Sequence, residues 1–232
     1  MKEYTAFSKY KEIISSCPLF KDISQELLPD SLKFMKAQLK SYRKDDYIIT
    51  LGEPFRYGIL LLDGNLEGSF INENYDKINM NHFTAGALMG ESFACAQVQC
   101  SPVQLRAMTE VKLLLLDFTI LYDTEAVKHT YQLKLSVNLI QALSKQNVFL
   151  STKIRILGQK ALRDKVIIYL ESLPRRKDGS VKIPFNKTAL AEFMGVNRSA
   201  LSRELGRMQN EGVLEVEGRK MKVVLNAKRT VL

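Results

Sequence analysis

From Thr119 to Leu157 the chain has neither proline nor glycine, and its apolar residues recur at helical spacing on two separate stripes. Ala126, Leu133, Val137 and Ile140 make one stripe; Leu135, Leu139, Leu143 and Leu150 make the other. A helix with two apolar stripes has to bury both. A preceding domain of roughly 150 residues is too small to enclose so long a helix on all sides. One stripe therefore belongs on the chain's own core. The other asks for a partner, most simply the same helix of a second subunit, which predicts a homodimer through the long central helix. The competing arrangement is a helix buried wholly within one chain.

The residues before this stretch follow a different period. Residues 1 to about 40 read as helical: Ile13-Ile14, Leu27-Leu28, Leu32 and Met35–Leu39 recur at helical intervals, with Ser24 as a candidate N-cap. From Tyr47 short apolar runs alternate with turn residues. They are Tyr47–Leu51 before Gly52, Ile59–Leu62 before Asp63-Gly64-Asn65, Leu66–Ile71 before Asn72-Glu73-Asn74, Ile78–Phe83 before Ala85-Gly86, then Leu105–Met108 and Val111–Phe118. Asp-Gly between two apolar runs signals a β-hairpin, because both turn positions favour residues that tolerate positive φ. Short strands at intervals of about 8–12 residues predict a sandwich, barrel or jelly roll.

Charge divides the chain. From Ser151 onward there are 18 lysines and arginines against 8 acidic residues, a net +10, whereas the first 150 residues hold 16 against 17, a net −1. So basic a region is either a solvated face or a polyanion-binding module carried by a neutral domain.

The pattern inside the basic third chooses between them. Ala161–Leu173 reads as an amphipathic helix with Leu162, Val166, Tyr169, Leu170 and Leu173 on one side, stopped by Pro174. Arg175-Arg176-Lys177-Asp178-Gly179 is a charged turn and Val181–Pro184 a short strand. Asn186 is placed to cap a helix over Lys187–Met194, whose inner face is Leu190, Phe193 and Met194. Gly195-Val196-Asn197 breaks it, and Asn197 or a neighbour starts a second helix from Arg198 to about Gln209, with Leu201, Leu205 and Met208 inward. Two short helices joined by a Gly-led turn are the helix-turn-helix pattern. Gly212–Glu217, the turn Gly218-Arg219-Lys220 and Met221–Leu225 add a hairpin, or wing.

Ser199, Arg203, Gly206 and Asn210 point away from the apolar seam of the second helix, and Arg198 leaves its first turn. A major groove about 12 Å wide admits such a helix, and an arginine fork matches guanine O6/N7. Arg198, Ser199 and Arg203 are therefore the candidate base readers on double-stranded DNA. Asn186, Lys187, Arg219 and Lys220 are candidates for phosphate contacts. The competing reading is a helix pair that binds only protein.

With these residues in hand, the chain resembles the CRP/FNR family of bacterial transcription regulators along almost its whole length. The stretch Asn186–Met208, with Gly195, Arg198 and Arg203, is similar to the family's DNA-reading motif. Gly90-Glu91, following Phe83-Thr84-Ala85-Gly86, is similar to the start of the family's cyclic-nucleotide cassette. The resemblance implies an α+β fold: a cyclic-nucleotide-binding-like β roll (jelly roll) with a long dimerisation helix over about 119–157, plus a C-terminal winged helix-turn-helix. Residues 1–157 would be the effector-sensing domain and 158–232 the DNA-binding domain, with Gly158 as the hinge. It further implies a homodimer on a palindromic operator, RNA polymerase as a partner, and a small-molecule effector of unidentified kind.

Two departures from the family pattern matter. Members that read a guanine often carry Glu after the first reading Arg, where this chain has Ser199, and a hydroxyl pairs with several base edges. Cyclic-nucleotide binders keep an Arg in the cassette, followed by a small hydroxyl residue, to hold the phosphate. Between Glu91 and Arg106 this chain has no Lys, Arg or His, and the corresponding stretch is Cys100-Ser101-Pro102-Val103. A buried phosphate without a cation is costly, so weak or no cyclic-AMP binding is expected. Gly90, Glu91, Ser101 and Arg106 remain the candidate effector-pocket residues.

Nothing else in the sequence assembles a chemical site. The family's oxygen sensors hold an iron–sulfur cluster with four cysteines, and this chain has three, Cys17, Cys95 and Cys100. They read as small apolar residues, with a redox role for Cys95 and Cys100 as the minor alternative. His82 and His129 lack metal-ligand company, and no Ser/His/Asp set or Gly-rich phosphate loop can be formed. No catalytic residue, metal or cofactor is expected, and the chain does not read as an enzyme. No apolar run approaches the roughly 18 residues of a membrane span. Met1-Lys2-Glu3-Tyr4 opens no secretory signal, and an odd, small cysteine count makes no disulfide framework. The chain reads as soluble and cytoplasmic. The functional expectation is a sequence-specific DNA-binding regulator; the alternative is a cyclic-nucleotide-type sensor module acting on a protein partner.

Overall fold

A computed structural model describes residues 7–71, 77–123 and 125–224, with the backbone alone for 77–81. The chain forms two compact units, Met1–Ser144 and Lys145–Leu232. The division falls inside a helix that runs unbroken from Thr130 to Leu157.

The N-terminal unit opens with α1 (Lys11–Ser16), a 3-10 turn (Pro18–Phe20) and α2 (Leu28–Phe34). Ser24 does not cap α2. Leu27 holds the N-cap position without a side-chain bond, and its N–H donates to the Ser24 carbonyl. The helical reading through Leu39 is also corrected. Lys36 turns to φ 46°, the Ala37 N–H donates back to the Leu32 carbonyl, and the chain leaves as strand β1 (Gln38–Tyr42).

Seven more strands follow: β2 (Tyr47–Ile49), β3 (Tyr57–Asp63), β4 (Asn65–Ile71), β5 (Lys77–Thr84), β6 (Leu88–Met89), β7 (Gln104–Ala107) and β8 (Val111–Asp117). They make two four-stranded antiparallel sheets, ordered β1-β8-β3-β6 and β2-β7-β4-β5. Asn72–Asn74, read as a turn, lies outside the described residues.

The Asp63-Gly64 turn is tight, but it does not close a hairpin. Strand β3 pairs with β8 and β6, while β4 pairs with β5 and β7, so the turn is a corner between sheets. Its geometry explains the misreading. The Gly64 N–H donates to Asp63 Oδ1, as in a hairpin turn, but Asn65 then donates to Thr109 Oγ1 and accepts from Met108 N–H at the neighbouring crossing. Gly64 sits at φ 86°, and a Cβ there would lie 2.4 Å from the Glu110 carbonyl oxygen. Only glycine fits both demands.

Strands β3 and β8 are apolar without interruption because both faces are covered. Ile59, Leu61, Leu113 and Leu115 join Ile48, Ile49, Leu66, Leu105 and Ala107 inside the roll. Leu60, Leu62, Leu114 and Leu116 face the other way, onto Ile14, Leu19, Phe20, Leu28, Leu32 and Met35. Each fully buried leucine contributes about 1.5–3 kcal/mol.

After β8 the long helix begins later than the 119 that absence of Gly and Pro suggests. Asp117 accepts from Thr119 N–H and caps a 3-10 turn, Phe118–Tyr122, which buries Phe118 and Leu121. Helix α4 (Thr130–Leu157; a one-turn α3, Glu91–Cys95, precedes it after β6) starts where Gln132 Oε1 accepts from the N–H groups of Lys128 and His129. The second stripe docks over its first part only: Leu135 and Leu139 are buried and Leu143 half-buried, but Leu150 is 48% exposed; beside it Asn138 Nδ2 donates to the carbonyls of Leu19 and Lys21 at 2.9 and 2.8 Å. The other stripe stays open, with Leu133 57%, Val137 39% and Ile140 62% exposed in the single chain; its first member, Ala126, precedes the helix, and Ile154 further along is 71% exposed as well.

The C-terminal unit holds the end of α4, then α5 (Leu162–Ser172), β9 (Val181–Lys182), α6 (Lys187–Met194), α7 (Arg198–Asn210), β10 (Leu214–Glu217) and β11 (Lys220–Val223). Its core joins Ile156, Val166, Tyr169 and Leu170 to Leu190, Met194, Leu201, Leu205, Met208, Leu214 and Met221. The sheet is ordered β10-β11-β9. Among the described residues, no helix is long and apolar enough to cross a membrane.

Candidate nucleic-acid interface

Helix α6 is set by its two ends. Asn186 Oδ1 accepts from the Ala189 N–H at 2.9 Å, and Gly195, at φ 64°, ends the helix in the left-handed region. Val196 N–H then donates to the Ala191 carbonyl and turns the chain into α7. Asn197 occupies the N-cap position of α7, but its side chain makes no cap hydrogen bond. The leading N–H groups are left for another acceptor, an arrangement that suits an anion.

Leu201, Leu205 and Met208 are buried beneath α7, which fixes its rotation. Arg198, Ser199, Arg203 and Asn210 are exposed and Gly206 is half-buried, as the spacing requires. Ser202 and Gln209 are exposed as well. Ser202 lies four residues beyond Arg198, one turn along the same flank, and that spacing could have added it to the candidate readers. Among the described residues neither Arg198 nor Arg203 has an acidic partner.

Acids near this face are otherwise engaged. The one acid of α7, Glu204, accepts from Arg163 Nε at 3.2 Å and pairs with Arg207 at 3.3 Å. Arg163 also meets Glu211, just past the helix, at 2.6 Å. Glu211, closest of the two acids, raises the Arg163 guanidinium further above its already high range. In the wing, Lys222 pairs with Glu215 at 3.8 Å.

The phosphate candidates separate into free and engaged groups. Lys187 and Arg219 are exposed and without acidic partners among the described residues. Lys220 is held by Asp178 at 3.1 Å and approaches Glu217 at 3.9 Å. Asp178 is kept well below the usual carboxylate range by hydrogen bonds from Ser180, with Lys220 adding to them. Asn186 is exposed, but its Oδ1 is occupied by its cap.

The four effector-pocket candidates are held by separate neighbours. Gly90, at φ 77°, leads into α3 beside Phe55 and the Tyr57 carbonyl. Glu91 is buried, and burial raises its carboxyl above the ordinary range. Burial, with a smaller contribution from the Glu91 charge, also raises the Cys17 and Cys95 thiols. Ser101 is buried and donates to the Val103 carbonyl at 2.7 Å. Arg106 stands on β7 between Leu105 and Ala107, whose side chains enter the roll, so it points to the opposite face. There it meets Asp45 and Glu67, each at 3.4 Å.

Cys17, Cys95 and Cys100 are free thiols, buried, half-buried and exposed respectively, and burial pushes Cys17 up to about 11. Among the described residues no three His, Cys, Asp or Glu side chains stand close enough to hold a metal.

With this geometry in view, residues 164–229 match the Crp-like helix-turn-helix domain family. Among curated proteins no sequence matches the chain. In fold, the chain is similar to a protein of Ruegeria pomeroyi DSS-3 assigned to cyclic-nucleotide binding, at TM-score 0.51 and 17% identity over 94% of each chain. It is likewise similar to a protein of Silicibacter pomeroyi DSS-3 assigned as a cAMP-binding regulator (TM-score 0.50, 17% identity, 92% of this chain and 93% of that one). A third likeness is to CLP of Xanthomonas campestris, a c-di-GMP-responsive global regulator, at TM-score 0.52 and 16% identity over 84% of this chain and 97% of that one.

Proposed function

We propose, for a chain whose C-terminal domain belongs to the Crp-like helix-turn-helix family and whose fold is that of CRP/FNR regulators, that it is a homodimeric, sequence-specific reader of double-stranded DNA. Helix α7 enters the major groove, with Arg203 and Ser199 on its outer face and Arg198 at its leading end reaching base edges. Lys187 and Arg219 meet phosphates, and Lys220 joins them only by leaving Asp178. The observation that carries this reading is the contrast on α7: two arginines exposed and, among the described residues, without an acidic partner, and the helix's one acid drawn aside by Arg163 and Arg207.

The dimer follows from α4. Leu133, Ile140 and Ile154 stand on one seven-residue repeat with Asn147 between them, and all four are exposed in the single chain. A seven-residue repeat of this kind packs against its own copy, and an Asn within it favours a paired, in-register two-helix seam. Two copies of α7 then read two half-sites of a palindrome about one helical turn apart. The N-terminal roll is the sensing domain of residues 1–157, and residues 158–232 bind DNA. The effector is a small molecule other than cyclic AMP, since Arg106 is turned away from the roll interior. The protein works in the cytoplasm, alongside RNA polymerase, as a binding protein and not an enzyme.

Selection of duplexes from a random library by the full chain tests this. Enrichment of a palindromic site that competes with random DNA supports the reading; recovery of random sequence alone overturns it.

A further inference from the structure

The reading face of α7 depends on a group that does not lie on it. Arg163 comes from α5, 41 positions before Glu204 in the chain, and its guanidinium takes both nearby carboxylates: Nε to Glu204 at 3.2 Å and Nη2 to Glu211 at 2.6 Å. Glu204 is largely enclosed, its side chain 12% exposed. A carboxylate that deep needs its cation, because desolvation without a partner outweighs what remains. Glu204 is also next to Arg203 on α7, so an unpaired negative charge there would act on the duplex that Arg203 reads.

We infer that Arg163 is a positioning residue for DNA binding: it clamps Glu204 and Glu211 against α5, so that α7 meets the duplex without a free acid and with its rotation fixed. This rests on the DNA-reading role proposed above. The clamp works through geometry as well as charge. A guanidinium offers parallel donors in a rigid fork, whereas an ammonium on the same stem satisfies one carboxylate at a time. Arg207 completes the set: by pairing with the second oxygen of Glu204 at 3.3 Å, it is held on the flank beside the outer face. Loss of Arg163 leaves Glu211 without this partner and Glu204 with Arg207 alone, so that acid charge is released beside the reading helix and α7 loses its tie to α5.

The test uses the full chain and a duplex enriched by it from a random library. Arg163→Ala is expected to weaken that duplex about tenfold and to narrow its margin over random DNA, with helix content by circular dichroism unchanged. Arg163→Lys is expected to fall between the two. The decisive variant adds Glu204→Gln and Glu211→Gln to Arg163→Ala. If freed acids cause the loss, removing their charge restores affinity to within about threefold of the parent. A merely structural arginine gives no such recovery, and a triple variant as weak as Arg163→Ala overturns the inference, as does an Arg163→Ala chain that binds like the parent. A readout without DNA separates this from the functional reading: in the free protein, amide exchange across Arg198–Asn210 should rise about tenfold in Arg163→Ala. Unchanged exchange there overturns the clamp even if the parent chain binds no duplex.

Discussion

Arg106 faces Glu67 at 3.4 Å across the pairing of β7 with β4, on the side of the sheet away from the roll interior. Glu67 is 4% exposed, and Asp45 approaches the same guanidinium at 3.4 Å. An arginine so held is a structural cation within its own sheet. It is not positioned to receive a phosphate inside the roll. Arg106→Ala should therefore cost about 1–3 kcal/mol of stability, through the loss of a charged hydrogen bond to a buried acid. Urea unfolding measures this. Calorimetric titration of the parent chain with cyclic AMP should show no micromolar binding; a micromolar or tighter dissociation constant abolished by Arg106→Ala contradicts the assignment.

Base and phosphate roles on the C-terminal domain separate in a salt titration. Arg203→Ala should cost roughly 1–3 kcal/mol on the selected duplex and relax base preference at one position per half-site. Lys187→Ala should weaken all duplexes alike and lower the slope of log affinity against log salt by about one. Equal losses on selected and random DNA for Arg203→Ala refute its role.

The two stripes of α4 should respond differently. Leu135 is fully buried on its own domain, so Leu135→Ala should destabilise the chain by about 2–5 kcal/mol. Ile140 and Ile154 stand in solvent in the single chain, so Ile140→Asp with Ile154→Asp should leave the fold intact and produce a monomer in sedimentation velocity. Dimers that survive the double substitution place the interface elsewhere.

Glu91 gives a pH signature. Burial lifts its folded-state value above the usual 4.5, so the folded chain holds this proton more tightly than the unfolded one. Its contribution is fully present below that usual value and is lost as pH rises through the raised one. Glu91→Gln should remove the loss, raising stability near neutral pH and flattening the profile above about pH 4.5. Urea midpoints across the acid-to-neutral range would show it; a profile parallel to the parent's excludes Glu91 as the source.

The C-terminal domain was legible almost to the residue because its signals are local. Asn186 and Gly195 bound α6 by capping chemistry that acts within a few positions, and the Leu201, Leu205, Met208 period fixed which side of α7 would be buried. Most strands of the roll were legible, though not β1, read as the end of a helix, nor the two-residue β6, and their partners were not legible at all. Asp63-Gly64 carries the chemistry of a hairpin, yet the strands it joins belong to different sheets, since pairing is decided by residues far along the chain such as Leu114 and Ala107. The direction of Arg106 needed that register, and was open without it. The late start of α4 shows the limit of reading from absent breakers: Asp117 and Gln132, by capping backbone N–H groups, set where the 3-10 turn and α4 begin with no glycine or proline. The Arg163 clamp left no trace in the sequence, because nothing in local spacing joins two residues 41 apart.

Strands β3 and β8, covered by apolar side chains above and below, have no wet side. Any polar replacement along Ile59–Leu62 or Leu113–Leu116 strips its own hydration shell, whichever way it points. Mutational tolerance in the N-terminal roll should accordingly lie at the sheet margins and loops, and any change of what the roll can hold would have to proceed around this pair of intolerant strands and not through them.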